Sequence, residues 1–240
     1  MSGRSLSTAE QTRPSPLRWW QEAVALLAGD QLFEWLRSQI HPSATTALRN
    51  ARWVVRAERR TWTFHELRVQ RWLLPHHLLV EATDFYYGTV HFVVPPLVLV
   101  LLWRAFPARY ARWRNTLIIA TALGLVCFAL YPLAPPRLLP SSFGFTDTMR
   151  VIGGLGPLDS SHFKDTNAFA AMPSLHLTWS TWCACAAASV AQRRWVKLAV
   201  FAYPAITLFV VMATANHFFL DAVGGWVVLG LGWVIAGRLD

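Results

Sequence analysis

HFFLDAVGGWVVLGLGWVIA, residues 217–236, opens on an imidazole and a carboxylate and then runs to its end without another charge. About 20 apolar residues wound as a helix cross the roughly 30 Å hydrocarbon core of a bilayer. The stretch therefore reads as a membrane span with His217 at its mouth and Asp221 on the same helix face, four residues on. Ionisable groups are costly at such a position, and they point first to function.

Working outward, four further segments have the same character: 86–103, 116–134, 175–191 and 195–213. A weaker one, 19–40, is interrupted by Glu22, Asp30, Glu34 and Arg37, and reads as a first span or an interfacial helix. The expected fold class is all-α, an integral membrane bundle of about six transmembrane helices. The chain divides into a flexible tail (1–18), a weak first span with interfacial amphipathic helices (19–85) and a catalytic transmembrane domain (86–240). Composition agrees, with 54% hydrophobic and only 15% charged residues in 240.

The net charge of +9 does not call for nucleic acid, because the cations sit between apolar runs and at their ends. Arg104, Arg109, Arg112 and Arg114 follow one span, Arg193, Arg194 and Lys197 another, and Arg238 the last. The positive-inside rule assigns them to the cytoplasm, which leaves the 134–173 loop and the 214–216 turn outside. Arg49, Arg52, Arg56, Arg59 and Arg60 recur at helical spacing beside Trp53 and Trp62, the pattern of a helix lying on anionic headgroups or of a solvated loop helix. Cys127, Cys183 and Cys185 lie in apolar runs with neither zinc nor disulfide spacing. The first 18 residues are polar and carry no secretory signal.

A second motif, Met172-Pro173-Ser174-Leu175-His176, opens another span. Proline suits a first helical turn, and the free N–H groups there, with the positive end of the helix dipole, favour phosphate. Ser174 adds a hydroxyl, and His176 reaches the same end. Beside His217, Asp221 would fix the tautomer and raise basicity, as a nucleophilic or general-base histidine requires. Asn216 is placed to cap that helix. In Tyr131-Pro132-Leu133-Ala134-Pro135-Pro136-Arg137 the prolines end a helix and hold a guanidinium able to grip two phosphate oxygens. Lys164 and Asn167 lead into Ser174, and Tyr87 and His91 form a further pair four apart that reads as support.

These segments resemble the type 2 phosphatidic acid phosphatase superfamily, and within it the branch of inositol phosphorylceramide synthases and their bacterial relatives. Residues 167–176 resemble that branch's second motif, 217–225 its third and 131–137 its preceding proline-rich motif; the likeness covers roughly 84–236. It implies a six-helix bundle and phosphoryl transfer without metal or other cofactor. His217 would form a phosphohistidine and Asp221 would orient it. His176 would serve as acid and base, while Arg137 and Ser174, with Lys164 and Asn167, would hold the phosphoryl oxygens. The chain departs from the broader superfamily at Leu130, Leu138, Val210 and Val211, where the family carries a lysine, a proline and a Ser-Arg pair.

The expected function is phosphoryl transfer on a lipid phosphate or lipid-linked phosphodiester, with water or a headgroup alcohol as acceptor; an inositol-type phosphotransferase is one alternative. The expected location is a bacterial plasma membrane, with the site on the extracytoplasmic side and the bilayer and a lipid phosphate as partners. A metal-dependent hydrolase using His176, His217 and Asp221 is a competing enzyme class, and a non-catalytic lipid-binding membrane protein a competing role.

Overall fold

A computed structural model describes residues 18–151 and 167–239. Among them the chain forms ten α-helices and two 3₁₀ turns, and no strand. The helices are α1 (Trp19–Ser38), α2 (Ala44–Arg60), α3 (Glu66–Leu73), α4 (His77–Ala105) and α5 (Pro107–Leu130). They continue with α6 (Thr148–Val151), α7 (Leu175–Val190), α8 (Arg194–Ala199), α9 (Ala202–Ala213) and α10 (Phe219–Ala236). The all-α membrane bundle is thereby obtained.

Four stretches are long and apolar enough to cross a membrane: His77–Ala105, Pro107–Leu130, Arg194–Ala213 and Phe219–Ala236. Their boundaries differ from the sequence reading where local chemistry overrides hydropathy. Pro107 starts α5 at its first turn, so Arg109, Arg112 and Arg114 lie in the helix and not in a loop. The span beginning near Trp195 is broken at Val200–Phe201 into α8 and α9, with Pro204 in the first turn after the break. α4 continues through Pro95 and Pro96, as membrane helices can when neighbouring groups meet the freed backbone.

α7, only 16 residues, packs against α4, α5, α9 and α10 and forms the middle of the bundle. Close approach of α7 to α10 depends on Gly225, where a Cβ would lie 2.6 Å from the Ser174 carbonyl oxygen. Thr178 bridges the same gap, its hydroxyl donating to the Ser174 carbonyl at 3.0 Å and to the Gly225 carbonyl at 3.2 Å.

α1 lies along α5. Glu22 accepts hydrogen bonds from Tyr110 and Arg114 near the start of α5, and Phe33 packs with Phe128 near its end. The charges that weakened its hydropathy are thus partly paired, with Arg37 on Glu34 at 3.2 Å. Val24, Leu27, Leu32 and Trp35 stay exposed on its other side.

The bundle has two chemically distinct ends. Arg109 donates to the Ser189 carbonyl at the end of α7, and Arg112 stacks on Trp233 near the end of α10. Leu175 packs on Phe128 at the opposite end. The His176 and His217 motifs share that end.

α2 and α3 close the same end. The inward face of α2 reads Ala47, Asn50, Ala51, Val54, Val55, Glu58, a helical period. It packs on Leu133, Ala134, Leu139, Ala171 and Phe218. The three motif segments thus rest on one surface helix. Asn50 donates to the Pro132 carbonyl at 2.8 Å, and Ala134 N–H to the Ala47 carbonyl at 3.3 Å. A bridge between Leu133 and Ala170 ties two of the motif loops together.

Candidate active site

His217 sits just before the first turn of α10 and is 4% exposed. Its Nδ1 lies 2.9 Å from the Ala171 carbonyl oxygen and 3.3 Å from Asp221 Oδ2. Both partners only accept, so Nδ1 carries the proton and donates to them. The lone pair is thereby confined to Nε2, the nitrogen facing away from Asp221. Asp221 is fully buried and is itself held by the Phe218 N–H at 2.9 Å. The two residues that share a helix face in the sequence are thus hydrogen bonded to one another.

His176, in the first turn of α7, brings its ring centroid to 5.6 Å from that of His217. It stacks on Tyr87 at 4.4 Å and meets His91 edge-on at 4.5 Å, while His91 stacks on Trp179 at 5.8 Å. Tyr87 and His91 therefore wall the His176 ring. His176 Nε2 is buried without a hydrogen-bond partner among the described residues.

Arg137 is carried by a 3₁₀ turn, Pro136–Leu138. Its main-chain N–H donates to the Ala215 carbonyl at 2.9 Å and its Nε to Asn216 Oδ1 at 2.7 Å. Asp147 lies 3.8 Å from its terminal nitrogen. Asn216 is thus a guanidinium anchor; the helix cap position belongs to Phe218. The turn brings Arg137 beside the residue that precedes His217 in the chain.

Ser174 is the N-cap of α7. Its hydroxyl oxygen accepts from Leu177 N–H at 3.5 Å, and its own N–H donates to the Asp221 carbonyl at 2.8 Å. Pro173 precedes the cap, so it lies outside the first helical turn. Ser174 is fully buried and locks the two motif helices together. Asn167 accepts from Phe169 N–H at 3.0 Å and leaves its amide nitrogen buried without a partner among the described residues. Lys164 lies outside the described residues. No group of three His, Cys, Asp or Glu among the described residues is disposed to hold a metal ion.

Two residues that the motifs do not signal stand at the start of α10, close to His217 in the chain. Glu58 of α2 accepts the Leu220 N–H at 2.7 Å, and Glu66 of α3 accepts the Phe219 N–H at 2.8 Å. Both are fully buried. With Asp221 on Phe218 N–H, three carboxyl groups take the first three N–H groups at the start of α10, a favourable place for negative charge. Burial pushes the Glu58 carboxyl up to about 9, and the charge of Glu66 adds to the rise. Glu66 is also raised by burial, against the opposing pull of the Phe219 N–H and of Glu58. A signal for Glu58 exists in the sequence: it falls on the apolar face of α2, eleven residues after Ala47.

The PAP2 superfamily model matches residues 52–235, from within α2 to the end of α10. The chain is also similar to a phosphoinositol dihydroceramide synthase of Bacteroides thetaiotaomicron, 25% identical over 138 residues, or 52% of this chain and 45% of the relative. It thus spans less than half the length of that curated relative. No solved structure matches. With a family match over most of the chain and the motif histidines of α7 and α10 side by side at one end of the bundle, the protein belongs to the PAP2 superfamily.

Proposed function

We propose that the protein transfers a phosphoryl group from a membrane lipid phosphate or lipid-linked phosphodiester through a phosphohistidine on His217. The observation that carries this reading is the double acceptor on His217 Nδ1, which reserves Nε2 for attack. In the first step Nε2 bonds to phosphorus, the bond to the leaving oxygen breaks, and His176 delivers a proton to that oxygen. In the second, His176 takes a proton from the acceptor, whose oxygen attacks phosphorus while the P–N bond breaks. Asp221 stabilises the positive charge the phosphorylated ring carries. Arg137, held by Asn216, meets the phosphoryl oxygens. The enzyme is oriented with this end outside the cytoplasm, and α1 and α7 join the four long apolar stretches as crossings.

Water as acceptor gives a phosphatase, including a prenyl diphosphate phosphatase; a headgroup alcohol gives a phosphotransferase. The likeness to a phosphoinositol dihydroceramide synthase favours an inositol-type acceptor as the second reading. Purified protein incubated with a panel of lipid phosphates and phospholipids, with and without inositol or glycerol, separates the two. Free phosphate marks hydrolysis, and a new phosphorylated headgroup lipid marks transfer. Neither product from any lipid, by a folded protein, would refute the enzymatic reading and leave a lipid-binding role.

A further inference from the structure

The proposed reaction makes no use of the outer face of α2 and α3. These helices carry seven arginines, five on α2 and two on α3, and all seven are exposed. Their two acids, Glu58 and Glu66, are fully buried and accept main-chain amides of α10. The outward cations are left without a counter-charge, since no described carboxylate lies within ion-pair distance of any of the seven.

Trp62 adds an observation of a different kind. It follows the C-cap of α2, where Thr63 N–H donates to the Glu58 carbonyl at 2.9 Å and closes the helix. That closure puts Trp62 in the left-handed region, at φ 61°, which glycine takes freely and a bulky side chain rarely adopts. Packing within the chain does not offset the strain, because the residue is 86% exposed. Trp53 and Trp72 are exposed as well, and Arg56 lies over the Trp53 ring at 4.0 Å, so cation and aromatic share one face.

The position of α3 says what meets this face. Trp72 touches Phe209 edge-on at 6.0 Å, on the apolar stretch Arg194–Ala213. Just after α3 comes the first turn of α4, the start of another apolar stretch, with Leu78 exposed to the outside. Tryptophan gathers at the level where hydrocarbon gives way to headgroups, and Arg68 and Arg71 lie within about one helical turn of Trp72. We infer that the outer face of α2 and α3, with Trp62 between them, is a docking surface for the anionic headgroups of the surrounding phospholipid leaflet. The guanidinium groups take the headgroup phosphates, and Trp62 and Trp72 enter the layer beneath them. None of these residues belongs to the candidate active site, and the surface does not depend on the reaction proposed there.

Purified full-length protein in a neutral detergent is melted with short-chain phosphatidylglycerol, with phosphatidylcholine of the same chains, with inorganic phosphate and with heparin. Phosphatidylglycerol at about ten times its Kd should raise Tm by roughly 3–6 °C, and phosphatidylcholine or phosphate by less than about 1 °C. Heparin, a soluble polyanion that offers the tryptophans nothing, should raise it less than phosphatidylglycerol does. About 0.5 M potassium chloride should remove most of the phosphatidylglycerol shift. Arg52→Gln/Arg60→Gln/Arg68→Gln should bind phosphatidylglycerol on the order of 100-fold more weakly and lose the shift. Trp62→Gly should melt roughly 2–4 °C above the native protein without lipid, yet bind phosphatidylglycerol roughly 5- to 10-fold more weakly.

Equal shifts with the two lipids, or a phosphatidylglycerol shift that survives in the triple variant or in salt, would overturn the inference. So would native lipid affinity in Trp62→Gly. Phosphate or heparin acting as strongly as phosphatidylglycerol would assign the face to a soluble anion and overturn it too. The triple variant keeps Arg137, His176 and His217, so lipid bound in the reaction site would shift both proteins alike. If that variant fails to fold, the salt dependence of the native shift still decides.

Discussion

Adding one methyl group at Gly225 tests whether the α7–α10 contact sets the geometry of the site. The new Cβ would lie 2.6 Å from the Ser174 carbonyl oxygen and 3.0 Å from Thr178 Oγ1, against the 3.4 Å at which ordinary contacts begin. Neither neighbour is the loose end of a long side chain: one is main chain, and the other is held by two hydrogen bonds. The helices must therefore part by roughly 0.5–1 Å, at an overpacking cost of about 1–3 kcal/mol. Ser174 is the cap immediately before α7 and bonds the Asp221 carbonyl, so the strain passes directly into the His176–His217 pairing. A misplacement of that size costs on the order of 100-fold in a reaction that needs aligned groups. Gly230, on the same helix, has nothing within 4 Å of its would-be Cβ. Gly230→Ala should leave activity unchanged and raise stability by about 0.5–1 kcal/mol through helix propensity. Thermal unfolding in detergent and kcat on the best lipid substrate are read for both variants. Gly225→Ala matching Gly230→Ala in both measurements would refute the claim that this contact sets the site.

The remaining expectations concern the reacting groups and pH. His217→Ala should abolish turnover and also abolish protein-bound label after alkaline quenching of a reaction with phosphorus-labelled lipid; label retained in that variant would disprove the covalent route. Asp221→Asn replaces a charged acceptor on His217 by a neutral one, a loss of about 1–3 kcal/mol, so kcat should fall on the order of 10- to 100-fold while substrate binding changes little. Glu58 titrates near 9 in the folded protein and 4.5 when exposed, so its protonated form is the one folding favours. Its stabilising contribution is whole below about pH 4.5 and is lost as pH climbs toward 9. The melting temperature should therefore decline over that window in the native protein and decline less in Glu58→Gln. Parallel curves would contradict the assignment.

Much of the site was legible because its chemistry is written in short spacings. His217 and Asp221 are one helical turn apart, and a helix read from hydropathy is enough to place them together. The proximity of His176 to His217 followed from loop charges that put both helix starts at one end. Details of hydrogen bonding were not legible in this way. Ser174 reads as a phosphate ligand from its position at a helix start, but the fold employs it as a cap and as a link to Asp221. Asn216 reads as a cap and is the anchor of Arg137. Glu58 and Glu66 belong to none of the motifs, and nothing in the basic stretch around Glu58 marks it as a partner of α10. Their partners are main-chain amides more than 150 residues away, which no local pattern displays.

That long separation also has a bearing on biosynthesis. The surface helices α2 and α3 leave the ribosome well before α10 does, and until α10 arrives Glu58 and Glu66 have no main-chain amides to accept from. Contacts this distant in sequence form late and with a large loop-closure cost. Nascent chains arrested before residue 217 would then hold Arg137 and His176 without the proposed nucleophile, His217. Competence would switch on in a single event, when α10, the most C-terminal of the described helices, docks beneath its waiting seat.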